Sequence, residues 1–339
     1  MKRINEIDVV RVISTLGIVI FHFSLANESC RFLVEYGAGD WGTVFVNVFF
    51  MVSGFCLYCN NQKISKVYFW KRIKSIFPMF YVAFGFMFIR YVCANGNLFY
   101  LGVKKPLILT VFGLDGYFLY KGVNYYILGE WFLGALVLIY LLYPLLLFCM
   151  EKSEILSSII VFALYGFMLW GYSLPEPLFE IRESRNLISC ILCFWLGMLL
   201  YRHAERLLYH RLLPIVGLLI FLGAYFIPHV NILNHVAALG MFLFLFGIGS
   251  ILDRSSHLTK GFAWMASLSY PIFLVHHVLI NDMASIIVKI NTWSRYCIVL
   301  IFLFVITFLE GWALLQIGNA INQLPLMKSL EHRMKGSAH

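Results

Sequence analysis

Charge is scarce in this sequence: Asp, Glu, Lys and Arg make up only 13% of 339 residues, against about a quarter in an ordinary soluble domain. So few ionised groups exclude a water-soluble globular surface for a chain of this length. A mean hydropathy of +0.82, with 61% hydrophobic residues, places it in the membrane class. There is no polar stretch long enough for a soluble domain, no internal repeat and no low-complexity run. A G-x-S-x-G elbow is also missing, so Ser53 beside Gly54 reads as a small-residue contact between helices rather than as a nucleophile. The eight cysteines include two C-x-x-C pairs, Cys56 with Cys59 and Cys190 with Cys193, but neither has a His at ligand spacing. Both are expected to pack as small apolar side chains, and no metal is expected.

Apolar runs near the length of about 20 residues that a bilayer requires recur from end to end. Ten spans are read at 9–27, 43–60, 77–94, 131–149, 156–172, 187–201, 212–228, 235–252, 262–281 and 296–318. The fold expected is an all-α, polytopic membrane bundle: one transmembrane domain over 1–325, then a cytoplasmic tail over 326–339. Lys2 and Arg3 before an apolar run imitate a signal peptide, but Asp8, Arg11 and His22 interrupt that run and no small-residue cleavage site follows. It is expected to remain as the first span.

An even number of spans puts both termini on one side, and the basic residues choose it. Lys2, Arg3, Lys63, Lys66, Lys71, Arg72, Lys74, Lys152, Arg202, Arg206, Arg211 and Arg254 fall on the side of the termini. The opposite loops balance bases such as Arg31 with acids such as Glu28, so the formal charge of +9 resides on the first side. Both termini are therefore expected in the cytoplasm. The excess serves topology and attraction to anionic lipid, and nucleic acid is not an expected partner.

Two ionisable residues interrupt the first span. Eleven steps of an α-helix make three turns plus about 20°, so Arg11 and His22 share one face and lie roughly 16 Å apart along the axis. Ionisable groups inside a spanning segment are costly and mark function by default. Asp8, three residues before Arg11, is expected to face it as an ion pair. Glu310 is a lone carboxylate in the last span and is expected to pair within the bundle. His203, His210, His257, His332 and His339 are expected to be solvated.

Residues 95–130 form a long external segment whose apolar middle, Pro106 to Phe112, is too short to cross. An interfacial or re-entrant wall over an external cavity is expected there. Its aromatics Tyr117, Phe118, Tyr120, Tyr125 and Tyr126 suit interfacial anchoring and sugar stacking equally. In the connection before the third span, Lys71, Arg72 and Lys74 crowd ahead of Pro78, which is read as the start of that span. Such a cluster suits phosphate as well as ordinary flanking charge.

Five stretches, taken together, resemble the acyltransferase 3 family of integral-membrane acyltransferases, which includes bacterial polysaccharide and sugar O-acetyltransferases. They are IDVVRVISTLGIVIFH at 7–22, FFMVSGF at 49–55, KRIKSIFP at 71–78, WFLGALVLIYLLYP at 131–144 and LSYPIFLVH at 268–276. Two positions depart from the family pattern. Ser75 stands where many members carry a second Arg, with Lys74 beside it, and Leu136 stands where many carry a Glu, with Glu130 ahead of Trp131 as a substitute.

The resemblance implies a cytoplasmic acyl-CoA donor, most often acetyl-CoA, and a sugar or polysaccharide hydroxyl as acceptor at or beyond the outer face of a bacterial cytoplasmic membrane. By the same resemblance, Arg11 with Lys71, Arg72 and Lys74 would hold the donor. His276, Glu130 and Trp131 would serve the acceptor. An imidazole titrates near neutral pH, so His22 is the expected base, or else an acyl-carrying nucleophile. Two rival readings stand beside this: a transporter or flippase for a lipid-linked glycan, although no pair of symmetric broken helices supports it, and a regulatory membrane protein with a decayed site.

Overall fold

The computed structural model describes the chain apart from residues 1, 2, 28, 29, 31, 32, 37, 38, 61–63, 129, 228–231, 254 and 337–339, and the side chains of Tyr36 and Lys335. Lys2, Glu28, Arg31, Lys63, Arg254 and His339, named above, lie outside the described residues, as does the last residue of the 212–228 segment. The rest is helical, as the apolar runs demand, because in lipid a helix satisfies its own backbone. In chain order the helices are α1 (Asn5–Leu25), α2 (Trp41–Asn60), α3 (Lys66–Asn95), α4 (Pro106–Val111), α5 (Trp131–Lys152), α6 (Glu154–Ser173), α7 (Leu187–Arg202) and α8 (Ala204–Leu207). They continue with α9 (Leu213–Phe226), α10 (Ile232–Leu252), α11 (Ser256–Ser267), α12 (Ser269–Asp282), α13 (Ala284–Ile287), α14 (Trp293–Gln323) and α15 (Pro325–Gly336). Two short antiparallel strands, β1 (Glu35–Tyr36) and β2 (Gly39–Asp40), precede α2.

All ten expected segments fall on helices, and this is an all-α polytopic membrane protein. Among the described residues seven helices are long and apolar enough to cross a bilayer, α7 and α9 are shorter apolar helices, and the ninth segment is a pair, α11 and α12, broken at Leu268. Two compact units emerge. One comprises Met1–Asn60, Leu145–Ser269 and Met283–Leu300; the other comprises Asn61–Pro144, Tyr270–Asp282 and Ile301–His339.

In the first unit α1 packs on α2, α10 and α11, while α2 packs on α7 and α10. Glycine permits the closest of these approaches. A Cβ at Gly54 would lie 1.9 Å from the Phe194 carbonyl oxygen, and one at Gly197 would lie 1.9 Å from that of Met51. The reciprocal pair gives the FFMVSGF stretch a packing role, as expected for Ser53–Gly54. No disulfide forms: all eight cysteines are thiols, and Cys190 and Cys193 are buried in α7.

The second unit is governed by prolines. Pro78 does not start α3, as its position suggested, because α3 begins at Lys66 and runs through it. An internal proline cannot donate to the carbonyl four residues back, here that of Lys74, and Asn322 Nδ2 supplies the missing donor at 3.2 Å. Pro144 inside α5 likewise frees the Tyr140 carbonyl, which accepts the Tyr68 hydroxyl at 2.8 Å. Side chains thus complete the backbone bonding that water would complete outside a bilayer. Pro271 would free Ser267, the last residue of α11, and there the helix breaks.

The core of this unit gathers Ile76, Phe80, Leu133, Leu274 and Leu314 around Tyr125 and Tyr126. Those two tyrosines, open above to anchoring or stacking, are core residues, since an apolar cluster in lipid-exposed helices has room for large aromatic bodies. Tyr120 is exposed, as are Ile108 and Val111 of the short helix α4 and Phe112 just after it. Helix α15 packs against α3.

Replacing Tyr68 with Phe removes the donor to the Tyr140 carbonyl while keeping the ring. The expected cost is about 1–3 kcal/mol, the penalty for an unsatisfied buried acceptor, measured as a lower unfolding midpoint in detergent. An unchanged midpoint would mean that the Tyr140 carbonyl is satisfied by another donor.

Candidate active site

In the first unit, α1 carries Arg11 and His22 on a single unbroken helix, so the shared face derived from their spacing is retained. Both are half-buried, and Thr15 and Ile18 between them on that face are buried. Arg11 Nη2 lies 3.4 Å from Cys56 Sγ of α2, and the Thr15 hydroxyl donates to the Arg11 carbonyl at 2.8 Å. The Asp8 carboxylate, expected to pair with Arg11, takes a hydrogen bond of 2.7 Å from Arg3 Nε; Arg3 also donates to the Ala263 carbonyl at 2.9 Å. Asp8 therefore ties the start of α1 to α11. The His22 ring meets Phe21 edge-on at 4.9 Å.

Nearby in the same unit lies a polar group that sequence reading missed. Asn47 of α2, Ser189 of α7 and His235 of α10 are all buried. Asn47 Nδ2 lies 3.0 Å from His235 Nδ1, and Ser189 Oγ lies 2.9 Å from His235 Nε2. With the amide as donor to Nδ1, the imidazole proton sits on Nε2 and is donated to Ser189. A base needs the reverse, so this group binds three helices together rather than activating the serine. Near the chain's other charged cluster, His203, expected to be solvated, lies 2.7 Å from Glu154, which Arg202 also engages at 2.9 Å.

In the second unit the basic residues before Pro78 are on helix α3, and this separates them. Lys71 and Lys74 are three residues apart and neighbours on one side, whereas Arg72 and Lys74 are about 200° apart. Lys74 Nζ is paired with Glu331 of α15 at 2.6 Å. Arg72 lies over the Tyr140 ring, 5.8 Å from its centroid, and its buried Nε meets no hydrogen-bond acceptor among the described residues. Lys71 and Ser75 are exposed. The three cations expected to act together thus divide into one ion-paired lysine, one exposed lysine and one guanidinium stacked on an aromatic ring.

Helix α12 brings His276 and His277 to the start of α5. His276 is buried, 1% exposed, and its Nδ1 lies 2.8 Å from the Phe273 carbonyl and 3.1 Å from that of Ile272. Carbonyls only accept, so the proton is fixed on Nδ1 and the lone pair is presented at Nε2. The His277 ring centroid is 4.5 Å away, and His277 Nε2 is 3.7 Å from Glu130 Oε1. Glu130 thus stands within ion-pair reach of His277, the neighbour of the motif histidine His276, and lies immediately ahead of Trp131, while Leu136 in the motif position is buried. Sequence reading gave His277 no role, because its position beside Glu130 depends on tertiary packing. The chemistry available here is a ring nitrogen lone pair beside an imidazole and a carboxylate.

Glu310, expected to find a partner in the bundle, lines a cavity of about 270 Å³ together with Arg90 and Asp282. Arg90 holds Asp282 through two bonds, 2.6 and 2.7 Å.

The segment between α4 and α5 carries a further buried ionisable group. Asp115 is 1% exposed; its Oδ2 accepts from Tyr125 N at 2.8 Å and from the Thr110 hydroxyl at 3.0 Å. Burial pushes its carboxyl up to about 6, and these bonds hold it from rising further.

A family model described as an acyltransferase domain matches residues 4–312. No curated protein and no solved structure matches the chain. The helical membrane fold and the match define a membrane-embedded acyltransferase. The chain belongs to the acyltransferase 3 family.

Asp115 generates a pH prediction. Its folded value of about 6 exceeds the usual carboxylate value of about 3.9, so between them the folded segment binds a proton that the unfolded one has released. Its contribution to stability is therefore complete below about pH 4 and is lost as pH rises through about 6. Amide exchange of residues 110–127 is expected to be slower at about pH 5 than at about pH 7.5 after correction for intrinsic rates, and Asp115→Asn should erase the difference. Slower exchange at the higher pH would contradict this.

Proposed function

We propose that this protein transfers an acyl group, most simply acetyl, from a cytoplasmic acyl-CoA to a hydroxyl of an extracytoplasmic or lipid-linked sugar or polysaccharide, within a bacterial cytoplasmic membrane and with both termini in the cytoplasm. The observation that carries the reading is the Arg11–His22 face of α1: a fixed cation and an imidazole on one unbroken helix, roughly 16 Å apart along its axis. That separation is comparable with an extended pantetheine arm, so a phosphate-bearing donor held at the cation would extend toward the imidazole. Membership of an acyltransferase family favours this over a glycan transporter.

In the reaction, His22 accepts the proton of the attacking sugar hydroxyl as its oxygen bonds to the thioester carbonyl carbon. Collapse of the tetrahedral adduct breaks the carbon–sulfur bond, and the CoA thiolate recovers the proton from the imidazolium. The ester and free CoA are the products. Arg11, Arg72 and Lys71 are assigned to the donor's phosphates. Arg72 suits this role because it makes no ion pair among the described residues, and a stacked guanidinium can still present its fork to phosphate. Lys74 contributes field while bonded to Glu331. Glu130, Trp131 and His276 are assigned to the acceptor, whose hydroxyls a carboxylate and a fixed imidazole lone pair can receive.

His22→Ala is expected to abolish transfer from radiolabelled acetyl-CoA, a loss of at least about a hundredfold, while the protein stays folded in the membrane. Retained transfer would remove His22 from the chemistry. Arg72→Gln should weaken acetyl-CoA binding by on the order of tenfold, the effect of one charge-assisted contact, and Lys74→Gln by less. Equal effects, or none, would return these residues to topology.

A further inference from the structure

We infer that Asp115 is a positioning residue for Glu130 and, through it, for His277. The proposal rests on the acyl-transfer reading only for its consequence in catalysis; the geometry stands apart from it.

The segment leading into Glu130 takes a backbone course that its residues resist. Tyr126 and Ile127 are consecutive non-glycine residues with φ of 58° and 60°, the left-handed region, where a Cβ crowds the following carbonyl oxygen. Such strain persists only where surrounding contacts determine it, and it gathers at functional sites. Asp115 and Gly116 grip this segment at both ends. The Asp115 carboxylate holds the Tyr125 amide N–H, and the backbone of Gly116 pairs in a parallel bridge with that of Glu130. The Thr110 hydroxyl steadies the same carboxylate oxygen. Tyr126 is wedged among Phe84, Tyr91 and Tyr100, with centroids 5.0 to 5.6 Å apart, so the turn cannot relax by swinging its ring outward.

Glu130 therefore leaves the turn on a fixed heading, and its Oε1 stands 3.7 Å from His277 Nε2. If the grip is released, the two left-handed residues relax and Glu130 moves with them. A shift of about 1 Å at a catalytic contact is worth on the order of a hundredfold in rate. A carboxylate or an amide can accept from Tyr125, whereas a methyl group cannot.

The test uses the full-length protein in nanodiscs, with the His277 imidazole observed by nitrogen NMR and identified by its loss in His277→Asn. Asp115→Ala should move the His277 signals as Glu130→Gln does, and Asp115→Asn should leave them near wild type. In acetyl transfer, Asp115→Ala should lose on the order of a hundredfold, with little further loss in the Glu130→Gln background. Should Asp115→Ala not accumulate, it is made together with Ile127→Gly, which removes the Cβ strain at that residue and keeps it at Tyr126, and is compared with Ile127→Gly alone so that the grip is the only difference between the two. Unmoved His277 signals, or additive losses in the double variant, would overturn the proposal. A wild type that transfers no acyl group would instead defeat the functional reading, and the NMR comparison would still decide the role of Asp115.

Discussion

Every backbone carbonyl released inside the bilayer must find a donor within the protein, and the motif prolines release several. Pro78 frees Lys74 and Pro144 frees Tyr140; Asn322 and Tyr68 answer them. Those two bonds tie α3 to α14 and α5 at the point where Arg72 lies over Tyr140. The prolines thus fix a cation against an aromatic ring, and a stretch that reads in sequence as flanking charge becomes an ordered surface. Pro271 cannot donate to Ser267, where α11 ends, so α12 begins afresh, with His276 bonded to its own preceding turn.

Polar groups within the apolar helices divide by chemistry into those that hold helices together and those poised to react. The Asn47–His235–Ser189 group is buried and has its imidazole proton on the wrong nitrogen for a base, so its role is cohesion. His276 has the opposite tautomer, with its lone pair presented at Nε2 and a second imidazole and a carboxylate close by. Composition cannot separate these two histidines. Only the identity of the atom opposite each ring nitrogen does so.

Much of the fold was legible because apolar length is a strong signal: the ten segments read from hydropathy fall on helices, the ninth on the broken pair α11 and α12. The start of α3 was not, because a proline after a basic cluster looks like a first-turn residue, and only distant Asn322 shows how it is accommodated mid-helix. The Arg11–His22 face was legible because both residues lie on one helix, where spacing dictates direction. The pairing of Asp8 with Arg3, of Lys74 with Glu331 and of Glu130 with His277 was not, since sequence spacing is silent on partners that packing supplies. Asp115 was hidden for a further reason: in a loop a carboxylate reads as solvated, and its burial depends on the turn it holds.

In the proposed reaction an acyl group taken from CoA on one side of the membrane emerges as an ester on a sugar at the other. The most direct measurement places the purified protein in sealed liposomes of defined orientation, with labelled acetyl-CoA confined to the side bearing the termini and a glycan acceptor on the opposite side. Label is expected in the acceptor as a base-labile ester, with free CoA remaining where the donor was supplied. Consumption of acetyl-CoA with no labelled acceptor, or transfer only when both substrates share one side, would contradict the account.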